Sequence, residues 1–272
     1  MGLRYIILGG ASAVLSAAPA FAHAGFLLPN TFTAEEDATI TAFASFSDAF
    51  PAPEIALVSD SFAMTGPDGE AASFETVETF KAVTILEGTP GTPGLYRLTT
   101  GERLGRTGKV ALSAGEYVRL GPDGETPDSL PDDAEILTSQ TATVSESFVM
   151  VGTAERPAML ATSGRLSLML GDGEAPLESG HPLTASFSFD GEPLSSDEIM
   201  LIDAYGHYAS GEDGLALSSG ENGKAALPAL TPGVYVLLAR HIAEAPDGAE
   251  TDVRSYTTTL TFEIPGAAET GN

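Results

Sequence analysis

Four histidines occur in the 272 residues, and one of them, His23, follows Ala17-Ala18-Pro19-Ala20-Phe21-Ala22. That run carries two overlapping small-x-small sites of the kind a signal peptidase cuts. Cleavage after Ala22 makes His23 the first residue, and its free amine and ring Nδ1 then form a nitrogen chelate suited to Cu²⁺ or Ni²⁺. Cleavage after Ala20 leaves Phe21-Ala22-His23, whose amine, two backbone amides and imidazole can wrap a square-planar ion. Cleavage after Ala24 removes the histidine, which then stood beside the boundary by chance.

The other histidines are weighed as partners for such a site. His241 ends the apolar run Val234-Tyr235-Val236-Leu237-Leu238-Ala239-Arg240, a place where a strand displays a binding residue beyond a rigid scaffold. His207 lies in Tyr205-Gly206-His207-Tyr208, a glycine-broken aromatic turn that reads first as packing and second as a ligand loop. His181, between Gly180 and Pro182, reads as a surface turn. Asp172-Gly173-Glu174 and Asp123-Gly124-Glu125 fit no twelve-residue calcium loop and read as Asp-Gly turns.

Catalytic constellations are missing. There is no Gly-x-Ser-x-Gly elbow, His-Glu-x-x-His helix, phosphate-binding Gly-Lys-Ser/Thr loop or dinucleotide fingerprint. The chain is therefore read as a non-enzyme. One minor alternative is a copper mono-oxygenase, in which a terminal histidine and a second histidine, here His241 or His207, form a three-nitrogen brace.

The elements that must position these groups are strands. Arg4 and the apolar stretch Ile6–Ala18 form an export signal too short to span a bilayer. Beyond the signal, the chain alternates short Val/Ile/Thr/Phe/Tyr runs with Gly, Pro and Asp clusters at the spacing of β-sandwiches. Expected strands are 39–47, 61–65, 81–87, 94–99 and 116–120, then 165–170, 183–189, 199–204, 234–241 and 255–264. An Asn222-Gly223 turn is expected to join a short edge hairpin, and the acidic, proline-rich segment 121–134 reads as a loop. Thr92-Pro93-Gly94-Leu95-Tyr96 recurs as Thr231-Pro232-Gly233-Val234-Tyr235. Each copy opens a strand with a tyrosine whose hydroxyl can pin the turn, as in a tyrosine corner.

The expectation is an all-β chain of two tandem immunoglobulin-like β-sandwich domains after a cleaved signal peptide. Its divisions are a signal at 1–22, an N-terminal domain at 23–152, a C-terminal domain at 153–266 and a tail at 267–272. With 38 acidic against 12 basic residues and a net charge of −26, the surface repels nucleic acid and anionic lipid. The absence of cysteine excludes thiolate sites and disulfides, and the absence of tryptophan weakens a sugar-binding reading. No second apolar stretch is long enough to insert in a membrane.

The order of these motifs resembles the exported bacterial family DUF4198, some of whose members are associated with nickel or cobalt uptake. The resemblance rests on His23 after the signal, the turn Thr65-Gly66-Pro67-Asp68-Gly69, both Pro-Gly-x-Tyr motifs, the stretch 139–152, and Phe189-Asp190-Gly191-Glu192-Pro193-Leu194. It implies a two-domain β protein that handles a transition metal. Asp48, in Ser47-Asp48-Ala49-Phe50-Pro51, stands where members of that family often carry a histidine. The metal candidates are thus His23, His241, His207 and Asp48, with Ni, Co or Cu as the ion. The protein would be periplasmic or secreted, with a membrane metal transporter or outer-membrane receptor as partner. The alternative is a non-catalytic interaction module of the cell envelope. Proximity of His23 to His207, His241, Asp48 or Glu54 separates the two readings.

Overall fold

A computed structural model describes residues 23–120, 130–131, 133–152, 161–171, 177, 179–204 and 214–266. The chain is all-β, as expected, and the strands of the described residues lie in three sheets. The first holds Ala24–Pro29, Ile40–Ser47, Thr84–Gly88 and Thr76–Thr79 in that spatial order, with Ile55–Ala56 also paired to Ile40–Ser47. The third holds Leu166–Leu170, Leu183–Phe189 and Glu192–Pro193, with Lys224–Leu227 also paired to Leu183–Phe189. Between them runs a long sheet drawn from both halves of the chain, in which Glu135–Val151 pairs parallel with Val253–Ile264 and antiparallel with Gly94–Thr99 and Arg103–Ser113.

The strand Glu135–Val151 couples the two halves, because successive side chains of a strand point to opposite faces. Phe148 and Met150 enter one core with Leu168, Phe187, Leu237 and Leu260. Val149 and Val151 enter the other with Leu27, Ala42, Leu86 and Leu98. Residues Val144–Val151 are all buried, so the alternation that marks a half-exposed strand is absent from its second half. Glu146 in this stretch is fully buried, accepting from the Ser163 backbone N–H at 3.1 Å and from the Ser163 hydroxyl. Arg97 Nε lies 3.5 Å from its carboxylate, and Arg97 Nη2 donates to the Ala161 carbonyl at 2.8 Å. The carboxylate therefore fastens the start of the second half to the shared strand, its burial compensated by hydrogen bonds and one cation.

Both tyrosines of the repeated motif act as the sequence implies. The Tyr96 hydroxyl donates to the Thr92 carbonyl at 2.9 Å and accepts from the Thr92 N–H at 3.1 Å. The Tyr235 hydroxyl donates to the Thr231 carbonyl at 3.0 Å. Their rings lie in different cores, Tyr96 with Leu98 and Tyr235 with Leu237.

Two expectations change. The Asn222-Gly223 turn forms, with Gly223 N–H donating to Gly220 O at 2.8 Å, but it does not close a hairpin. Leu215–Ser219 pairs with Ser196–Asp203 in the long sheet, whereas Lys224–Leu227 pairs with Leu183–Phe189 in the third. The turn carries the chain between layers. Gly223 has φ +69° and a Cβ there would stand 2.4 Å from Phe187 O, so the crossing needs glycine. The second change is a set of strands that the sequence pattern does not announce, among them Ala24–Pro29, which pairs with Ile40–Ser47 at the start of the first sheet, and Arg103–Ser113, which pairs with Glu135–Val151.

Among the described residues no helix is long and apolar enough to cross a membrane. Residues 1–22, His207 and the tail from 267 onward lie outside the described residues, as do most of segment 121–134, Glu155 to Pro157 and Asp172-Gly173-Glu174.

Candidate functional site

The register of the first strand pair builds the site. Ala24 faces Ser47 and Gly25 faces Phe46, so continuing the antiparallel ladder by one step sets His23 opposite Asp48. On the other flank of the same strand Ile55 faces Phe46, and the Glu54 N–H donates to Phe46 O at 3.3 Å, which brings Glu54 beside Ser47. Three separate segments thus deliver one residue each to a single sheet end.

The connection between Asp48 and Glu54 is held from below. Ala52 N–H donates to Ala49 O at 2.8 Å, the Ala49 N–H donates to Ser47 Oγ at 2.8 Å, and the Phe50–Pro51 peptide is cis. Phe50 is buried edge-on against Phe26, with ring centroids 5.0 Å apart. Both rings pack with Val236 and Ala204 from the C-terminal half. The site loop is therefore anchored by an apolar plug that both halves supply.

His23, Asp48 and Glu54 converge there, each partly open to water. His23 Nδ1 lies 2.8 Å from Asp48 Oδ1, and the His23 backbone N–H donates to the same oxygen at 2.6 Å. His23 Nε2 lies 3.5 Å from Glu54 Oε2, and Ser47 Oγ donates to Glu54 Oε1 at 3.2 Å. The backbone nitrogen and Nδ1 thus face one point, while the far ring nitrogen faces the second carboxylate. Nδ1 lies beside the first carboxylate and Nε2 beside the second, and a carboxylate behind a ring nitrogen is how a metal-binding imidazole is oriented. Nitrogen donors with carboxylate oxygen make a mixed set suited to divalent first-row ions. The residues therefore fit a transition metal, with His23 and Asp48 as ligands and Glu54 as the group that holds the ring.

His241 is not part of this group. Its ring packs at a tilt against Phe189, centroids 4.6 Å apart, in a cluster where Arg165 donates to Asp190 at 2.7 and 2.6 Å and to the Tyr256 hydroxyl at 2.6 Å. Arg165 also lies over the Phe189 and Tyr256 rings. Burial pushes the His241 ring below its usual 6.5; Glu198 and Asp190 oppose that, and Arg119 and Arg165 add to it. The Arg165 hydrogen bonds hold the Asp190 carboxyl below the usual carboxylate range. Nearby, burial pushes Glu198 up, but two hydrogen bonds from Arg119, at 3.0 and 2.8 Å, bring it net below that range. Burial and the Arg119 charge push Arg240 down to about 10. His181 keeps its turn, with Nδ1 3.2 Å from Ser179 O.

Among the candidates, then, the structure joins His23 to Asp48 and sets His241 apart. Glu54, which the sequence offers only as a carboxylate within reach of His23, takes the orienting place. The signal that could have found it is the register of Ile55 on Phe46, which no local pattern encodes.

No curated protein matches this sequence. Among solved structures the chain is similar to a chimeric titin Z1Z2-Z1Z2 tandem at 12% identity, 87% of this chain, 98% of that one and TM-score 0.22. It is similar to the ectodomain Ig1–Ig3 of mouse nectin-like molecule 4 at 10% identity, 91% and 66% coverage and TM-score 0.21. For the human OSCAR ligand-binding domain the values are 13%, 89%, 100% and 0.19. A family model described as "Domain of unknown function (DUF4198)" matches residues 20–243. That span starts just ahead of His23 and includes Asp48, Glu54 and the strand shared by both halves, so the chain belongs to the DUF4198 family.

Proposed function

We propose that this is an exported, periplasmic or secreted protein that binds one divalent transition metal ion, of the nickel, cobalt or copper class, for transport or delivery. The observation that carries the reading is the convergence of His23, Asp48 and Glu54, with the His23 backbone nitrogen and Nδ1 at 2.6 and 2.8 Å from one carboxylate oxygen. Among the described residues both carboxylates form their ion pairs with His23 and with no arginine or lysine. Their charge is thus available to a cation. The side chains of His23, Asp48 and Glu54 are 40, 53 and 38% exposed, and an open site suits an ion that is taken up and handed on. The excess of acidic residues raises the local concentration of cations around it.

Bound there, the metal is cargo, and its receiver would be a membrane transporter or outer-membrane receptor. A catalytic brace would need a second histidine. His241 faces Phe189 and the guanidinium of Arg165 instead, and we do not propose an enzyme. The segment that carries His207 leaves the described residues after Ala204, which packs with Phe26 and Phe50, so a His207 variant belongs in the test.

The test is calorimetric titration of the chain starting at His23 with Ni²⁺, Co²⁺ and Cu²⁺, beside His23→Ala, His207→Ala and His241→Ala. One equivalent bound, lost in His23→Ala and kept in His241→Ala, supports the reading. Tight binding that survives His23→Ala removes it. One observation favours a second reading, an envelope interaction module. Among the described residues Thr76–Thr79 is one edge of the first sheet, and Val77 and the neighbouring Phe80 are 47 and 57% exposed, an edge able to accept a partner's strand. That reading predicts no stoichiometric metal.

A further inference from the structure

We infer that the His23 site is built for a free N-terminus, so that removal of residue 22 switches metal binding on; this rests on the metal-binding reading above. Two observations carry it. The first is the shared target of the two nitrogens, since the backbone N and Nδ1 of His23 both lie on Asp48 Oδ1, at 2.6 and 2.8 Å. While residue 22 is attached, that backbone N is an amide. Its lone pair is delocalised into the preceding carbonyl, so it presents only the proton it donates to Asp48. Cut free, the same atom is an amine whose lone pair, after loss of a proton, points where the ring nitrogen points.

The second observation is independent of any ligand. His23 has φ +22°, a value disfavoured for a residue with a Cβ. This torsion is measured from the carbonyl carbon of residue 22, so it exists only in the uncut chain. Cleavage after Ala22 removes the strained torsion, while the ladder from Ala24 onward and Asp48 keep the nitrogens in place. The conformation that is costly for the precursor costs nothing in this torsion for the processed chain. A cut after Ala20 would keep both the amide and the strain.

Asp48 then has two roles in sequence. In the uncut chain its oxygen accepts a hydrogen bond from the backbone amide N–H and lies beside Nδ1. In the processed chain it faces a chelating pair and can share their ion. The precursor would therefore pass through the cytoplasm without taking up metal, and acquire affinity only at the compartment where its leader is removed.

The experiment compares the chain beginning at His23 with the same chain carrying Gly-Ser-Gly-Ser before His23, titrated with Co²⁺ by calorimetry. Co²⁺ is chosen because, unlike Cu²⁺ and Ni²⁺, it does not readily displace amide protons, so the extended chain gains no substitute chelate. The expected result is one equivalent bound by the His23-first chain, at least tenfold more tightly than by the extended one. Without metal both should unfold in one cooperative transition, the extended chain at the lower midpoint because it keeps the strained torsion. Equal affinities would overturn the gating and leave the metal site standing on the ring, Asp48 and Glu54. Absence of binding by both would overturn the metal reading and the gating together. Mass spectrometry of the exported protein should give His23 as its first residue, and any other start overturns the switch in the cell.

Discussion

His23 and His241 are the same side chain in opposite fields. His23 stands at an exposed sheet end between two carboxylates. His241 lies partly buried on Phe189, beside Arg165 and within reach of the Arg119 charge. The first environment attracts a cation and the second repels one. Of the acids around His241, Asp190 is committed to Arg165 and Glu198 to Arg119. Histidine type and strand position alone do not separate a ligand from a packed ring; the charges across the neighbouring strands do.

The comparison breaks most sharply at His23. Replacing it with alanine should weaken metal binding by more than about 100-fold, since a lone amine and exposed carboxylates no longer form a chelating nitrogen pair, with little change in thermal midpoint; His241→Ala should leave the titration curve unaltered. A matching loss from both variants would show that the two regions are coupled. Glu54→Gln comes next, with an expected loss of about tenfold, the scale of an orienting carboxylate. An unchanged affinity would make Glu54 a bystander and leave Asp48 to act alone.

On the other side of the comparison, Arg165→Met should cost about 1 kcal/mol in chemical denaturation. It removes the hydrogen bonds to Asp190 and Tyr256, and the ion pair is exposed enough to be screened. The metal titration should not move. The smallest effect concerns acid. Burial and the nearby guanidiniums keep the His241 ring neutral in the fold to a lower pH than in the unfolded chain. Its contribution is therefore fully present above about pH 6.5 and is lost as pH falls from there toward the lowered folded value. His241→Phe should flatten that acid-side slope, which for one proton cannot exceed about 1.4 kcal/mol per pH unit. An unchanged slope between pH 7.5 and 5.5 would mean that other groups set it.

Much of this fold is legible in the sequence, and the exception that matters to the site has a physical cause. Gly94–Thr99 and Leu183–Phe189 fall where the local runs and their bounding turns place them. Ala24–Pro29 is not legible as a strand because neighbouring residues are buried on opposite sides, Leu27 in one core and Phe26 with Phe50 and Val236. A strand wrapped on both faces looks like any apolar run. Of the site, His23 is legible from the cleavage motif and Asp48 from the family resemblance. Their meeting depends on the strand Ala24–Pro29, and Glu54 on a second pairing, both non-local.

The strand Glu135–Val151 also bears on how such a chain can be inherited. Because Phe148 and Met150 serve one core while Val149 and Val151 serve the other, a break after Gly152 would strip a wall from the half that loses the strand. The two halves that echo each other through Pro-Gly-x-Tyr are thus no longer interchangeable parts. Recombination has no seam in the middle of this protein along which to exchange one half for another.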